Sequence, residues 1–175
     1  MEPIKASLAI TEYVEFVGET TSTATARPGQ LLEEVLAIIS NEGPVLGSRI
    51  FTVHTRCSGG QRVGPLISET LKKILSNAVR KGLVVEEDPL DEGDRRHRTY
   101  RLPIQPDVRQ RTLGPRTLEL VPPRELAALM EALRDRHGLS NDDALDREVL
   151  NRYRLKRRTP KTLQRLHVVK TKLVE

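Results

Sequence analysis

A mainly α-helical fold carrying a small β-hairpin is what this 175-residue sequence predicts. Three observations point to it. Apolar residues recur three and four positions apart through most segments. Prolines open several of those segments and glycines close them. Two short β-prone runs flank an acidic loop that contains glycine.

Residues 1–27 read as an arm. YVEFV suits a short strand or an extended run, and TTSTATA suits a flexible connector. Regular structure begins after Arg27-Pro28. In GQLLEEVLAIISNEG the positions Leu32, Val35, Leu36 and Ile39 share one helical face, and Gly43-Pro44 ends the helix. LGSRIFTVHTRC is the second helix candidate, with Ile50, Val53, His54 and Cys57 on one side. Its β-branched residues and its alternation leave a strand as the alternative. SGGQRVG then breaks the chain. Pro65 opens a third helix with Leu66, Ile67, Leu71, Ile74, Leu75 and Ala78 inward, Ser68, Lys72, Lys73, Ser76, Arg80 and Lys81 outward, and Gly82 as its stop. LVVEED and HRTYRL, on either side of PLDEGDRR, form the hairpin, with Arg95, Arg96 and Arg98 at or near its tip. Three helices followed by a hairpin is the order of a winged helix-turn-helix, here residues 28–102.

From 103 to 121 the proline-punctuated PIQPDVRQRTLGPRTLELV reads as an extended connector laid over the surface. Residues 122–175 then form a second, wingless helix-turn-helix-like unit. PPRELAALMEALRDRHG buries Leu126, Leu129, Met130 and Leu133 and stops at Gly138. SNDDALDREVLNRY is capped by Ser140 or Asn141, with Leu145, Val149, Leu150 and Tyr153 inside. The last helix starts at Thr159-Pro160 and turns Leu163, Leu166, Val169 and Leu173 inward. Shifted by 95 residues, the two halves align Gly43 with Gly138, Arg62 with Arg157, Pro65 with Pro160 and Leu71 with Leu166. Only five identities fall in residues 43–79, so the matched punctuation, not identity, points to two units of one design.

Composition excludes several classes. Five aromatics (Tyr13, Phe16, Phe51, Tyr100, Tyr153) are too few for a reader that stacks single-stranded bases. No apolar run approaches the roughly 18 residues of a membrane span, and the N-terminus has no apolar export core. The lone Cys57 forbids an intrachain disulfide and points to a reducing, cytoplasmic setting. His54, His97, His137 and His167 are scattered, so neither a metal nor a cofactor is expected. SGGQRVG matches no phosphate-binding loop and reads as a turn between helices. His54 and Cys57 meet on one helix face, where a core pair outweighs an activated thiolate. The acidic pairs Glu33-Glu34, Glu86-Glu87 and Asp142-Asp143 point different ways along their backbones. No constellation supports an enzyme.

Charge carries the functional signal. The net charge is +5, but residues 1–42 hold two basic side chains against seven acidic ones. Residues 149–174 hold nine basic side chains and no acidic one. A basic end on a neutral-to-acidic body predicts a polyanion partner, with a solvated helical face as the plain alternative. In a winged helix-turn-helix that partner is duplex DNA, met by the third helix. The candidates in the first unit are Arg62, Ser68, Lys72 and Lys73, with Arg95, Arg96 and Arg98 for the backbone. In the second unit they are Lys156, Arg157, Arg158, Lys161, Thr162 and Arg165, the denser set. A homodimer would suit paired half-sites, although no residue requires it. The alternative is a protein-interaction module, since winged helices also dock onto proteins.

NEGPV (41–45), SRIFTVHTRCSGGQRVGPLI (48–67) and RTLGPRTLELVPPRELAALM (111–130), with Tyr13 upstream, resemble a C-terminal module of large bacterial superfamily I helicase–nuclease proteins. The resemblance implies a winged-helix-like fold and a setting in DNA processing or defence, and in the alternative protein-interaction reading the partner would be a helicase or nuclease. The chain departs from that pattern at RLKRRTP (154–160), where those proteins carry a glycine-phenylalanine and an arginine-x-glycine. It also lacks the helicase and nuclease motifs, so neither activity carries over.

Overall fold

A computed structural model describes residues 10–174; the first part of the expected N-terminal arm, residues 1–9, lies outside them. The chain divides into two compact units. The first runs from Val14 to Asp107, and the second joins the segment ending at Tyr13 to Val108–Glu175. Among the described residues the fold is mainly helical, with one small antiparallel sheet of three strands.

The first unit holds α1 (Pro28–Glu42), β1 (Val45–Leu46), α2 (Gly47–Cys57), α3 (Pro65–Arg80), β2 (Val85–Glu87) and β3 (Thr99–Arg101). Proline occupies the start of α1 and of α3, where no intrahelical donor is required. The segment left open between helix and strand is helix α2. Its face Ile50, Phe51, Val53 and His54 is buried, because 3.6 residues per turn gathers these side chains on the core and a strand would split them. The buried face of α1 is Leu31, Val35, Ile38 and Ile39, with the expected Leu32 and Leu36 only partly covered at its margin. Leu66, expected inward, is 77% exposed. A helix turns roughly 100° per residue, which carries Leu66 off the stripe of Leu71, Ile74, Leu75 and Ala78, whereas Ile67 in the same turn lies on it and packs against the core.

The hairpin forms with Glu86 opposite Tyr100. A third strand absent from the expectations, β1, pairs with β3 and places Val45 opposite Tyr100. Two residues carry too little pattern to be read as a strand, and only the closing of the chain brings β3 beside them. The hairpin loop also closes over the start of α2. The N–H groups of Gly47 and Ser48 donate to the carbonyls of Arg98 and Arg96 at 3.0 and 2.8 Å, which satisfies donors that a helix start leaves open. Gly47 is required there: a Cβ would sit 2.2 Å from the Arg95 carbonyl oxygen. Gly47→Ala is expected to lower stability by roughly 1–3 kcal/mol in thermal unfolding. A melt unchanged from wild type would mean that the loop yields without cost.

The stretch TTSTATA, expected to be a flexible connector, is hydrogen-bonded to the first unit. Thr20 N–H donates to the Cys57 carbonyl at 3.2 Å, and the Thr21 N–H and hydroxyl donate to Glu34 at 3.0 and 2.8 Å.

The second unit holds a 3-10 turn (Leu118–Leu120) and the helices α4 (Pro123–His137), α5 (Asp142–Arg152) and α6 (Pro160–Leu173). The side chain of Asn141 caps α5, and that of Thr159 caps α6. Leu126, Leu129, Met130, Leu133, Leu145, Val149, Leu150 and Tyr153 are buried as the spacing predicts. On α6 the buried face is Leu166 and Val169 with Thr162 and Lys170, while Leu163 and Leu173 are half-covered.

The stretch read as a surface connector divides: Pro103, Ile104, Pro106 and Asp107 are exposed in the first unit, whereas Arg111, Arg116, Leu118 and Val121 are buried in this one. Arg111 and Arg116 are 2% and 3% exposed, and both clasp the buried carboxylate of Glu125. The ring of Tyr13 lies over both guanidinium groups, at 4.9 Å from Arg111 and 4.2 Å from Arg116. Proline and arginine made the stretch look solvated; a carboxylate fourteen residues beyond Arg111 draws it in.

The two units share one plan. Their helices start 95 residues apart in each case: Pro28 and Pro123, Gly47 and Asp142, Pro65 and Pro160. Backbone hydrogen bonds repeat with the same shift. Gly60 to Thr55 matches Leu155 to Leu150 at 2.9 and 2.8 Å, and Thr25 to Ser22 matches Leu120 to Thr117 at 3.0 Å in both. Even the left-handed residue of the turn recurs, as Gly59 at φ 84° and Arg154 at φ 56°.

Candidate nucleic-acid interface

The turn from α5 to α6 is shaped by what it buries. Tyr153 goes into the core, Arg154 takes the left-handed conformation, and Leu155 N–H donates back to the Leu150 carbonyl at 2.8 Å. The next residues are thereby turned outward. Lys156, Arg157 and Lys161 are exposed, and among the described residues no carboxylate pairs with them. They stand around the start of α6, where Pro160 is the first residue and the helix adds partial positive charge. A cleft of about 510 Å³ opens beside them, lined among others by Arg116, Leu155, Lys156, Arg157 and Thr162.

The remaining candidates of this unit are placed differently. Arg158 is held by Asp143, whose carboxyl stays below its ordinary value chiefly through that hydrogen bond. Thr162 is buried, and its hydroxyl lies 2.8 Å from that of Thr159 at the helix cap. Arg165 is half-buried along α6. Lys170, counted in the basic end, is buried and bonded to Asp146 at 2.8 Å.

In the first unit the basic candidates are largely matched by the unit's own acids. Arg95 and Arg98 both meet Glu86, at 3.4 Å for Arg95, and Arg98 also donates to the Gly93 carbonyl at 2.8 Å. Arg96 is clamped to Asp94, with its two side-chain donors at 3.1 and 2.8 Å. Lys72 lies between Glu69 and Asp94, at 3.4 and 3.5 Å. Ser68 is half-buried in the first turns of α3, whereas Arg62 and Lys73 are exposed. The hairpin tip is therefore a lattice of opposite charges. Residues 14–107 carry twelve basic and thirteen acidic side chains, and residues 108–175 carry sixteen and nine.

These pairs make the first unit acid-sensitive. The hydrogen bond from Arg96 holds Asp94 well below its ordinary value of 3.8. Burial pushes Glu15 up, but Arg49 and Arg56 outweigh it and leave the carboxyl below 4.5. A carboxyl whose pKa is lowered by folding contributes stability that is complete above its ordinary value and is lost as pH falls through the lowered one. The melting temperature of the first unit is therefore expected to fall between neutral pH and about pH 3. A flat profile over that range would show that the pairs add nothing to folding.

Polar residues that sequence reasoning missed are mostly buried. Arg49 bonds Glu42 at 2.9 Å inside the first unit, and Arg111, Arg116 and Glu125 occupy the second. No periodicity marks a buried charge, because its partner is chosen by the fold. Among the described residues no group of three or more His, Cys, Asp or Glu side chains is placed to hold a metal ion. No helix among them is long and apolar enough to cross a membrane. The chain matches no family model, no curated protein and no solved structure.

Proposed function

We propose that this protein is a duplex-DNA-binding module that acts without chemistry of its own, gripping the phosphate backbone through its second unit. The observation that carries the reading is the cluster Lys156, Arg157 and Lys161, exposed and, among the described residues, unmatched by acids at the start of α6. A helix start with unpaired cations around it is suited to phosphate by both dipole and charge. The order of α1 to α3 followed by the β2–β3 hairpin supports a winged helix-turn-helix for the first unit, and the repeated plan supports a wingless relative for the second.

The first unit favours a second role. Its hairpin arginines are occupied by Glu86 and Asp94, and Leu66 stands exposed on α3, where duplex DNA would meet it. That surface suits docking onto a protein, such as a helicase or nuclease, better than gripping phosphate.

Fluorescence anisotropy of a random labelled duplex, titrated with the full chain at several salt concentrations, tests the reading. The logarithm of the binding constant is expected to fall linearly with the logarithm of salt, with a slope of about −0.9 for each phosphate contact. Absence of binding at low salt would overturn it and leave protein docking as the function.

A further inference from the structure

The same corner opens in both units. In the first, a cleft of about 240 Å³ is lined by Ser22 and Thr23 before α1, Gly60 after α2 and Ile67 on α3, among others. In the second, the residues 95 positions later line a cleft of about 510 Å³: Thr117 and Leu118 before α4, Leu155 after α5 and Thr162 on α6. The concavity therefore belongs to the shared backbone plan, and side chains set its chemistry separately in each unit. Among the described residues, the first lining holds no lysine, arginine, aspartate or glutamate. The second joins Lys156 and Arg157 to the apolar surface of Leu113, Leu118 and Leu155.

A further cleft of about 600 Å³, lined in part by Glu12, Gly114, Arg152 and Arg154, adjoins it within the second unit. Leu113 and Leu155 line both, so the two clefts lie to either side of this half-buried pair. Among the described residues the two linings hold five basic side chains against two carboxylates, Glu12 and Glu119. Arg154, Lys156 and Arg157 are exposed, and among the described residues no carboxylate pairs with them. Duplex DNA would answer those cations, but its convex, polar backbone has nothing to set against the leucines. A neutral apolar ligand would cover the leucines and leave the cations unanswered. A peptide with both acidic and apolar residues answers both.

We infer that this double cleft docks an extended acidic segment of a partner protein, with a leucine-sized side chain set between carboxylates. The apolar side chain would lie against Leu113 and Leu155. Carboxylates on either side of it would meet Arg154 from one cleft and Lys156 and Arg157 from the other. The inference does not rest on the DNA reading, which makes no use of Arg154 or Leu155. Lys156 and Arg157 would serve both, so an acidic segment and a duplex would exclude each other.

The test is fluorescence anisotropy of a short labelled peptide, a run of aspartates interrupted by two leucines, titrated with the full chain near physiological salt. Saturable binding is expected, with a dissociation constant of about 100 μM or tighter. The same peptide with serine in place of both leucines is expected to bind about tenfold more weakly, because only leucine has apolar surface to bury. Leu155→Ser is expected to weaken the leucine peptide about fivefold or more and to leave the serine peptide unchanged. Arg154→Gly removes a cation at a φ of 56° that glycine takes freely, as Gly59 does in the first unit, so the fold should persist. It is expected to weaken both peptides about threefold. Circular dichroism checks that each variant is folded. Equal binding of the two peptides would assign these cations to polyanions alone and overturn the docking site. Absence of saturable binding would overturn it too, as would wild-type affinity for the leucine peptide in either folded variant.

Discussion

Replacing Lys156, Arg157 and Lys161 together by alanine is expected to weaken binding to random duplex DNA by about two to three orders of magnitude near 0.1 M salt, and to flatten its salt dependence by about 2.7. The size follows from counterion release: each phosphate contact contributes about 0.9 to the slope, and at that salt about as many decades of affinity. The fold has little reason to respond. All three side chains are exposed and lie outside the buried face of α6, which is built from Leu166 and Val169. Arg158→Ala is the informative control. Its guanidinium is already engaged by Asp143, so its removal should change the slope by less than any residue of the triple set. Anisotropy at four or five salt concentrations, with circular dichroism on each variant, separates the outcomes. Wild-type affinity in the folded triple variant would take the second unit out of the DNA interface.

Glu125→Ala is expected to be the most damaging single substitution for stability, at roughly 3–5 kcal/mol. Its carboxylate, 1% exposed, receives Arg111 at 2.9 Å and Arg116 at 3.0 and 3.1 Å. Alanine leaves both guanidinium groups inside the second unit without that carboxylate, and desolvation of a cation without compensation is what makes breaking a buried pair so costly. Arg116 would keep its bonds to the carbonyls of Thr112 and Leu113, at 2.9 and 3.1 Å, which offset part of the loss. A domain's whole stability is about 5–15 kcal/mol, so the second unit should unfold at a far lower temperature or denaturant concentration. Val14–Asp107 has a separate core and should keep its own transition. A loss below about 1 kcal/mol would show that the cluster is no keystone of this unit.

The comparison of expectation with structure turns on the range over which each feature is decided. Helix starts at Pro28, Pro65, Pro123 and Pro160 were legible because proline acts on its own backbone and on one neighbour. The stop at Gly138 was legible for a like reason: its φ of 59° is cheap only for glycine. The apolar stripes of α4 and α5 followed from period alone, since each faces a single core. The shared plan of the two units was present as spacing, although few identities accompany it. Punctuation sets helix length, whereas many apolar side chains can fill the same core.

The candidate interface was legible only as a pool of basic residues. Which of them are available was decided by pairing across the turn, which removed Arg158 and Lys170 and left Lys156, Arg157 and Lys161. In the hairpin the same process joined Arg98 to Glu86, twelve residues away, and Arg96 to Asp94. Leu66 misled because it neighbours Ile67 in sequence, yet a helix turns roughly 100° per residue and carries it off the buried stripe on which Ile67 lies.

The sequence by itself determined the order and length of the helices, the hairpin and the concentration of positive charge toward the end of the chain. Each is a property of residues close together, settled by backbone sterics, by period or by simple counting. The tertiary structure alone decided that Arg111, Arg116 and Glu125 form a buried cluster beneath Tyr13, that β1 joins the sheet, and that Leu113 and Leu155 line a pair of clefts. Those outcomes depend on partners distant in the chain. A charge or a lone polar atom is assigned its partner only when folding has removed the water that would otherwise serve.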